Sequence, residues 1–117
     1  MSHPMPELCL FCRMVAGDIP VNRVAETPEC LAFRDVHPQA PQHILIIPKH
    51  HYSSLNEVSD HAVLGKMTAL AAQIAASEGF ATAGYRTVIN TNRDGGQSVF
   101  HLHMHVLAGR QLHWPPG

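Results

Sequence analysis

The sequence lacks the features that mark nucleic-acid-binding, membrane-spanning and secreted proteins. Eight Lys and Arg residues are offset by nine Asp and Glu residues, giving a formal net charge of -1, so the chain has no basic field to attract nucleic acid. No apolar run approaches the ~18 residues that cross a bilayer, and the N-terminus has no basic patch followed by an apolar stretch, as a secretory signal would. We therefore expect a soluble, cytoplasmic protein that binds neither nucleic acid nor a membrane.

Cysteine and repetitive sequence are also scarce. The three cysteines comprise a close pair, Cys9 and Cys12, and an isolated Cys30. They do not form the even set of a secreted disulfide framework, and they suit a reducing compartment. The 117 residues contain no internal repeat, and with 45% hydrophobic and 15% charged residues they have the size and composition of one folded domain.

The hydrophobic pattern predicts an α+β domain built on an antiparallel sheet. We expect a single domain over residues 1–117, with a flexible arm at 1–7 and a proline-containing tail at 109–117. Short strands at both ends of the chain flank one long helix, and this order is typical of the α+β class. The predicted elements are a short helix at 10–16, strands at 21–25, 30–35, 43–47 and 85–91, a long helix at 59–78, a loop at 92–98 and a strand at 99–108.

Histidine, by contrast, is abundant, with ten residues against eight Lys and Arg. His101, His103 and His105 alternate with apolar residues, so in an extended strand the three imidazoles would share one face, ~6.6 Å apart, and the apolar residues the other. Such a face can be a polar stripe, a metal site or a catalytic array, because imidazole serves near neutral pH as ligand, nucleophile or proton carrier. The apolar residues that we expect in the core are Phe100, Leu102, Met104 and Val106.

The loop before these histidines favours the catalytic interpretation. Adjacent glycines, Gly95 and Gly96, can expose backbone N–H groups to an anion, and Asn90, Gln97 and Ser98 add side-chain donors. An imidazole can attack phosphorus while a second one donates a hydrogen bond and the loop stabilises the developing charge. The arrangement predicts phosphoryl or nucleotidyl transfer through a phosphohistidine.

The segment 101–107, His-Leu-His-Met-His-Val-Leu, resembles the motif of the histidine triad (HIT) superfamily, in which three histidines alternate with apolar residues. Nearly the whole chain resembles the HINT branch of this superfamily, the histidine triad nucleotide-binding proteins. It rests on segments 33–41, 43–49, 84–86 and 95–98 and on the Trp-Pro-Pro-Gly ending at 114–117.

This resemblance implies a five-stranded antiparallel sheet with one long and one short helix, paired into a ten-stranded sheet in a homodimer. It implies a hydrolase of purine nucleoside 5'-phosphoramidates, and of acyl-adenylates, that needs no catalytic cofactor. By the same resemblance His103 is the nucleophile that becomes nucleotidylated, and His105 bonds the phosphate or the departing group. His43 and His101 are then the flanking histidines that tune and relay protons.

The resemblance also assigns substrate-binding residues. Asn90, Gly96, Gln97 and Ser98 match phosphate-binding positions, and Asp35 matches a carboxylate that accepts both ribose hydroxyls. The residues alone allow other roles, because Asp35 also suits a turn at the end of a strand and the apolar positions also suit an ordinary core. The positions that match the base pocket are Leu10, Phe11, Met14, Phe33 and Val36, and Trp114 matches a residue at the dimer interface that reaches the partner's site, or else anchors the tail.

Cys9 and Cys12 separate this chain from the best-known HINT proteins, which lack the pair. With two histidines, two cysteines at this spacing can complete a tetrahedral zinc site. Other branches of the superfamily place zinc on such cysteines together with the residues that match His51 and His101. Zinc there would be structural, leaving His103 free and removing His101 from a proton relay. Two ordinary buried thiols are the alternative.

Two further functions remain open at this stage. One is hydrolysis of, or nucleotidyl transfer from, dinucleoside polyphosphates, as in other branches of the superfamily, and the C-terminal tail argues against it. The other is a non-catalytic nucleotide-binding interaction protein, which the intact triad and the loop at 95–98 disfavour.

Overall fold

A five-stranded antiparallel sheet forms the frame of the protein. The computed structural model describes residues 8–117, so the predicted arm at 1–7 lies outside the described residues. The strand order is β1-β2-β3-β5-β4, and each neighbouring pair is antiparallel, which confirms the α+β prediction. The elements are α1 (Leu10–Ala16), β1 (Arg23–Glu26), β2 (Cys30–Arg34), β3 (Gln42–Pro48), a 3-10 turn (Leu55–Glu57), α2 (Ala62–Glu78), β4 (Tyr85–Val88), α3 (Asn92–Gly95) and β5 (Met104–Ala108).

Strand β3 lies at the centre of the sheet and is covered on both faces. Ile44 and Ile46 belong to the larger hydrophobic cluster, whereas Leu45 and Ile47 belong to the smaller one. Successive side chains of a strand point to opposite faces, so the continuous aliphatic run of β3 supplies both clusters. This burial on two sides explains why its sequence shows no polar alternation.

Helix α2 packs on the first face of the sheet. Its apolar stripe is buried as predicted, and the helix ends at Gly79, which adopts the left-handed conformation with φ 86°. The helix begins at Ala62, three residues later than predicted, and its N-cap is His61, which makes no side-chain cap hydrogen bond. The Asp60 carboxylate accepts a hydrogen bond from the Ala62 N–H at 3.1 Å. Within residues 8–117 no helix combines the length and apolar character needed to cross a membrane.

Helix α1 packs on the second face. It runs over the predicted residues and ends at Gly17, whose φ of 85° is the left-handed conformation that glycine adopts at low cost. Phe11 is its buried residue, and the Phe11 ring meets the Phe33 ring edge-on with centroids 5.6 Å apart. The smaller hydrophobic cluster consists of Phe11, Leu31, Phe33, Leu45 and Ile47.

The histidine strand is shorter than predicted. Strand β5 begins at Met104, so residues 99–103 precede it without regular strand pairing. If the β3–β5 register continued, Pro48 would lie opposite Leu102. Proline has no N–H to donate to the neighbouring strand, and the Leu102 N–H donates to the Tyr52 carbonyl at 2.7 Å instead. Phe100, expected in the core, is 52% exposed as a result.

Several further boundaries differ from the predictions, and β1 covers Arg23–Glu26 rather than residues 21–25. Strand β4 ends at Val88 rather than at residue 91, and the expected loop at 92–98 begins with the short helix α3. Strands β1 and β2 form a hairpin, with Glu26 paired to Leu31 across the turn.

Candidate active site

A pocket of about 270 Å³ lies between α1 and the second face of the sheet. One wall is apolar, and the polar groups of the pocket include a carboxylate, a hydroxyl and two imidazoles. The structure therefore brings together, from distant parts of the chain, most of the residues that the sequence assigned to a base, a ribose and a phosphate. The predicted residues that line the pocket are Leu10, Phe11, Met14, Phe33, Asp35, Val36, Ser98, His103 and His105.

His103 is held in one tautomer by the backbone. Its Nδ1 lies 2.8 Å from the His101 carbonyl oxygen, and because a carbonyl can only accept, Nδ1 carries the hydrogen. A neutral His103 therefore keeps its lone pair on Nε2. The ring is 5% exposed and stands edge-on to the Phe11 and His105 rings, with centroids 5.3 and 5.1 Å away. A buried, oriented imidazole with a lone pair on Nε2 is suited to nucleophilic attack.

His105 is held in the opposite sense by a chain of hydrogen bonds. The Gln39 backbone N–H donates to His43 Nδ1 at 2.9 Å, so a neutral His43 carries its hydrogen on Nε2. That nitrogen lies 2.8 Å from His105 Nδ1 and donates to it, which leaves the hydrogen of a neutral His105 on Nε2. The pocket is thus lined by one imidazole whose remaining nitrogen accepts and one whose remaining nitrogen donates.

The surroundings keep His43 and His105 neutral. Burial lowers the pKa of His105 to about 4, with the neighbouring His103 and His43 adding to the effect and Asp35 opposing it. Burial also lowers the pKa of His43, again against the pull of Asp35. Near pH 7 both rings therefore remain uncharged, as the chain of hydrogen bonds from Gln39 requires. Sequence reasoning missed Gln39, because its contribution is a backbone N–H that any residue except proline provides.

Asp35 forms the turn that its sequence position allowed, and it also faces His43 and the pocket. Its Oδ1 accepts the His37 N–H at 2.8 Å, which is the expected turn, while Oδ2 lies 3.4 Å from His43 Nε2. The side chain is 18% exposed and lines the pocket. An ionised carboxylate has about four lone-pair sites, so Asp35 retains capacity to accept hydroxyl groups.

The loop before the histidines differs from the expected phosphate cradle. Both amide hydrogens of Gln97 are used within the chain, since Nε2 donates to the Ser53 and Val99 carbonyls at 2.7 and 3.0 Å. The side chain is 8% exposed and its Oε1 accepts the Asn92 N–H at 2.9 Å. Gln97 therefore stabilises the loop instead of offering side-chain donors to a ligand, because the Ser53 and Val99 carbonyls accept both of its amide hydrogens.

Other residues of that loop lie away from the pocket. The Gly96 N–H donates to the Arg93 carbonyl at 3.0 Å, ending α3. Neither Asn90 nor Gly96 lines the pocket, whereas Ser98 does. Ser98 is thus the member of the predicted phosphate loop that the structure brings beside His103 and His105.

Trp114 lies outside the pocket of its own chain. It is 80% exposed, and the Arg86 guanidinium carbon stands 6.0 Å from its ring centroid. Arg86 also donates to the His113 carbonyl at 2.9 Å. Within one chain this matches the interpretation of Trp114 as an anchored tail residue, with Arg86 as the anchor that sequence reasoning did not identify.

The four residues proposed as zinc ligands meet in one place. The ligand atoms of Cys9, Cys12, His51 and His101, which we call the thiol–imidazole cluster, lie within 4.8 Å of one another. His101 Nδ1 lies 3.4 and 3.5 Å from the sulfurs of Cys9 and Cys12 and 3.1 Å from His51 Nδ1, and the Cys12 sulfur lies 3.3 Å from His51 Nδ1. Residues 92 positions apart are thus in contact.

The chemistry of this cluster fits a zinc ion. Two sulfurs and two imidazole nitrogens are a donor set that tetrahedral zinc prefers. His101 Nε2 donates to the Pro48 carbonyl at 2.8 Å, so a neutral His101 presents an unprotonated Nδ1 to the cluster, in the way that a backbone carbonyl often orients a metal-ligating histidine. Burial, with Cys9 adding, raises the pKa of Cys12 to about 12, so a cation is needed to hold the Cys12 sulfur as a thiolate.

A second group of possible ligands, Asp35, His43 and His105, is explained without a metal. Their side-chain atoms also approach within 4.8 Å of one another. The hydrogen bond between His43 and His105 and the contact between His43 and Asp35 already use the facing atoms.

Comparisons with known proteins agree with the geometry. The family model described as HIT domain matches residues 16–112. An uncharacterized HIT-like protein of Synechococcus elongatus is 52% identical over 115 residues, covering 97% of this chain and 100% of that protein. A purine nucleoside phosphoramidase of Escherichia coli is 48% identical over 110 residues, covering 92% of each chain. The crystal structure of a HIT family hydrolase from Legionella pneumophila matches with a TM-score of 0.90 at 49% identity, covering 93% of this chain and 99% of that one.

Proposed function

The chain belongs to the HIT domain family, and we propose that it is a purine nucleoside phosphoramidase. It is a nucleotide hydrolase that cleaves the P–N bond of purine nucleoside 5'-phosphoramidates. The observation that carries this proposal is the pair of pocket imidazoles with opposite hydrogen-bonding roles: an acceptor at His103 Nε2 and a donor at His105 Nε2. Attack on phosphorus and departure of an amine need one group of each kind.

In the first step the lone pair of His103 Nε2 attacks the α-phosphorus, and a P–N bond to His103 forms as the bond to the amine breaks. The electron pair of the broken bond stays on the amine nitrogen, which takes up a proton that reaches it from solvent through His105. In the second step water attacks the nucleotidyl-histidine, the electron pair returns to Nε2, and the proton of water leaves by the same route. The cycle adds one water molecule across the substrate P–N bond and uses no catalytic cofactor.

The pocket supplies the binding groups for such a substrate. The apolar wall of α1 and β2 packs against the purine, and Asp35 accepts the ribose hydroxyls with its remaining lone pairs. Ser98 donates to the phosphate, while Gln97 keeps the loop in place. Acyl-adenylates carry the same nucleotide portion and so enter the same pocket.

The protein works as a cytoplasmic homodimer in this proposal. Strand β4 is an edge of the sheet, since only β5 pairs with it within residues 8–117. An exposed edge is a template for another strand, and two β4 edges meeting across a two-fold axis make a ten-stranded sheet. Trp114 is largely exposed and lies close to Arg86 of β4. In the dimer it then lies at the interface near the partner's pocket.

Zinc in the thiol–imidazole cluster has a structural role in this proposal. Cys9, Cys12, His51 and His101 hold the ion, and the ion ties α1 to the histidine segment. Because the His101 side chain is a ligand, it takes no part in moving protons, and His103 remains free for attack.

The test is hydrolysis of an adenosine 5'-phosphoramidate against hydrolysis of a diadenosine polyphosphate at equal concentrations. We expect kcat/KM to favour the phosphoramidate. His103→Ala should lower turnover by at least about 10³-fold, as removal of a nucleophile does, while nucleotide binding persists. The matched control is His61→Ala, which removes an exposed histidine from the N-terminus of α2.

Three results would contradict the proposal. Preferred cleavage of the polyphosphate would assign the chain to the other enzymatic class. Unchanged turnover in His103→Ala would show that His103 is not the nucleophile. Binding of nucleotide with no turnover of either substrate would show that the protein is not a nucleotide hydrolase.

A further inference from the structure

Helix α1 contributes side chains to two sites at once. Cys9 is its N-terminal cap, and Cys12 lies in its first turn, so both sulfurs belong to the thiol–imidazole cluster. The intervening and following residues, Leu10, Phe11 and Met14, line the nucleotide pocket. Any change in how the cluster holds α1 therefore moves a wall of the pocket.

Within residues 8–117, the N-terminal part of this helix is held by apolar packing of Cys9, Phe11 and Met14 on the smaller hydrophobic cluster and by the weak contacts of the thiol–imidazole cluster. Seven residues are far fewer than the ~12–15 that make an isolated helix even marginally stable in water. Phe11 anchors the helix in the smaller hydrophobic cluster, but Leu10 beside it is 44% exposed. The sulfurs reach His51 and His101 only through contacts of 3.3–3.5 Å, and thiols are weak hydrogen-bonding groups.

The cluster also adjoins the nucleophile. The Phe11 ring stands edge-on to His101, a cluster residue, and to His103, with centroids 5.8 and 5.3 Å away. The His101 carbonyl accepts the hydrogen of His103 Nδ1. The side chain of His101 thus faces the cluster while its backbone orients the imidazole of the pocket.

We propose that the thiol–imidazole cluster and the nucleotide pocket are energetically coupled through α1, so that zinc and purine nucleotide each strengthen the binding of the other. Zinc bonds in place of weak thiol contacts hold the apolar wall in its binding position before the nucleotide arrives, and preorganisation of this kind raises affinity. Thermodynamic linkage then requires the nucleotide to raise zinc affinity by the same factor. This inference rests on the proposed function, since it takes the pocket as the purine nucleotide site.

The experiment measures binding, without turnover. Zinc is removed from the folded wild-type protein with a chelator and restored in a second sample, and the Kd of adenosine 5'-monophosphate is measured for both by calorimetry. We expect about five-fold or greater tightening with zinc, within the range of ordinary coupling between sites. Zinc affinity, measured by competition with a chromophoric chelator, should rise by an equal factor when the nucleotide is saturating.

A matched pair of variants separates the cluster from cysteine loss in general. Cys12→Ser should lose zinc and show the weaker nucleotide affinity whether or not zinc is added. Cys30→Ser removes a buried thiol in β2 that lies outside the cluster and should keep the full zinc effect. Because the chelated wild-type protein gives the same comparison, misfolding of Cys12→Ser would not obscure the result.

Each possible outcome decides the inference. Equal nucleotide affinities with and without bound zinc would overturn the coupling and leave the phosphoramidase proposal intact. Failure of the reduced protein to bind zinc would overturn it as well. If neither form binds the nucleotide, the pocket assignment of the proposed function is wrong, and the coupling is overturned with it.

Discussion

The two faces of the central strands differ in what they support. On the α2 face, Ile44 and Ile46 pack under a helix of 17 residues, and the contacts are almost entirely apolar. On the α1 face the same strands present Leu45 and His105 to the pocket beside a helix of seven residues, and His43 is hydrogen-bonded to His105. Alternation along a strand thus lets one sheet place its stability on one side and its chemistry on the other.

Helix α2 supports the sheet, whereas helix α1 forms one wall of the pocket. The α2 face is closed by a long helix with a continuous buried stripe, which leaves little freedom for movement. The α1 face keeps a pocket open, and its imidazoles are held by hydrogen bonds whose directions matter as much as their number. Changes on the two faces should therefore have separable effects.

The largest effect should come from removing the donor on the α1 face. In His105→Ala we expect kcat to fall by about 10²–10⁴-fold, the usual contribution of a positioned proton donor. The free energy of unfolding should change by much less than the activation free energy, because His105 is only partly buried and its removal leaves the α2 face intact. Steady-state kinetics and urea denaturation would measure the two quantities.

The opposite pattern should follow from a change on the α2 face. Met67 is fully buried, so Met67→Ala should lower the free energy of unfolding by about 2–5 kcal/mol through lost transfer energy and a cavity. We expect kcat of the folded fraction to stay within about two-fold of the wild type, because Met67 does not line the pocket. A two-fold change in kcat corresponds to about 0.4 kcal/mol of activation free energy. A large loss of kcat would show that the two faces are not separable.

Acid should weaken the α1 face first. Burial lowers the pKa of His105 in the folded protein to about 4, below the ordinary value of 6.5. The unfolded chain therefore binds more protons between these values, and stability falls as the pH is lowered through that window. After allowance for partial exposure we expect a loss of about 1–2 kcal/mol.

Chemical denaturation of the wild type and of His105→Ala at pH 7 and at pH 4 would isolate this loss, because burial lowers the pKa values of His43 and His101 as well and both add to the wild-type change. The change between the two values should be smaller in His105→Ala than in the wild type. An equal change in both proteins would contradict the assignment of the loss to His105.

The smallest of these effects should follow from Asp35→Asn, an isosteric change at the rim of the α1 face. The amide is a weaker acceptor for hydroxyl groups than the carboxylate, so KM should rise by about five-fold, or roughly 1 kcal/mol. The unaltered shape should leave kcat within about two-fold. A fall in kcat with unchanged KM would place Asp35 in the chemical step, through its contact with His43.

Much of the fold was predictable because local signals and burial agree. Helix α1 ends where Gly17 permits a left-handed turn, and α2 follows its apolar stripe to Gly79. Strand β3 was recognised from an aliphatic run that ends at Pro48. The predicted start of β5 is wrong because the residue that ends the pairing of β3 with β5 is Pro48, which lies in β3 and not in the histidine segment.

The pocket residues were also largely predictable, since Asp35, Ser98, His103 and His105 all line one pocket. The prediction for Gln97 differed because its partners, the carbonyls of Ser53 and Val99, become neighbours only in the folded chain. An amide does not indicate in sequence whether it will bind a substrate or brace a loop.

The sequence by itself determined the alternation of His101, His103 and His105, the order of the elements and the set of groups available for chemistry. Only the tertiary structure decided what each imidazole does, because the function of a histidine depends on which nitrogen carries the hydrogen. A backbone carbonyl sets this for His103, the Gln39 N–H sets it for His105 through His43, and the Pro48 carbonyl sets it for His101. Three residues that look equivalent in sequence thereby become a nucleophile, a donor and a metal ligand in the proposed enzyme.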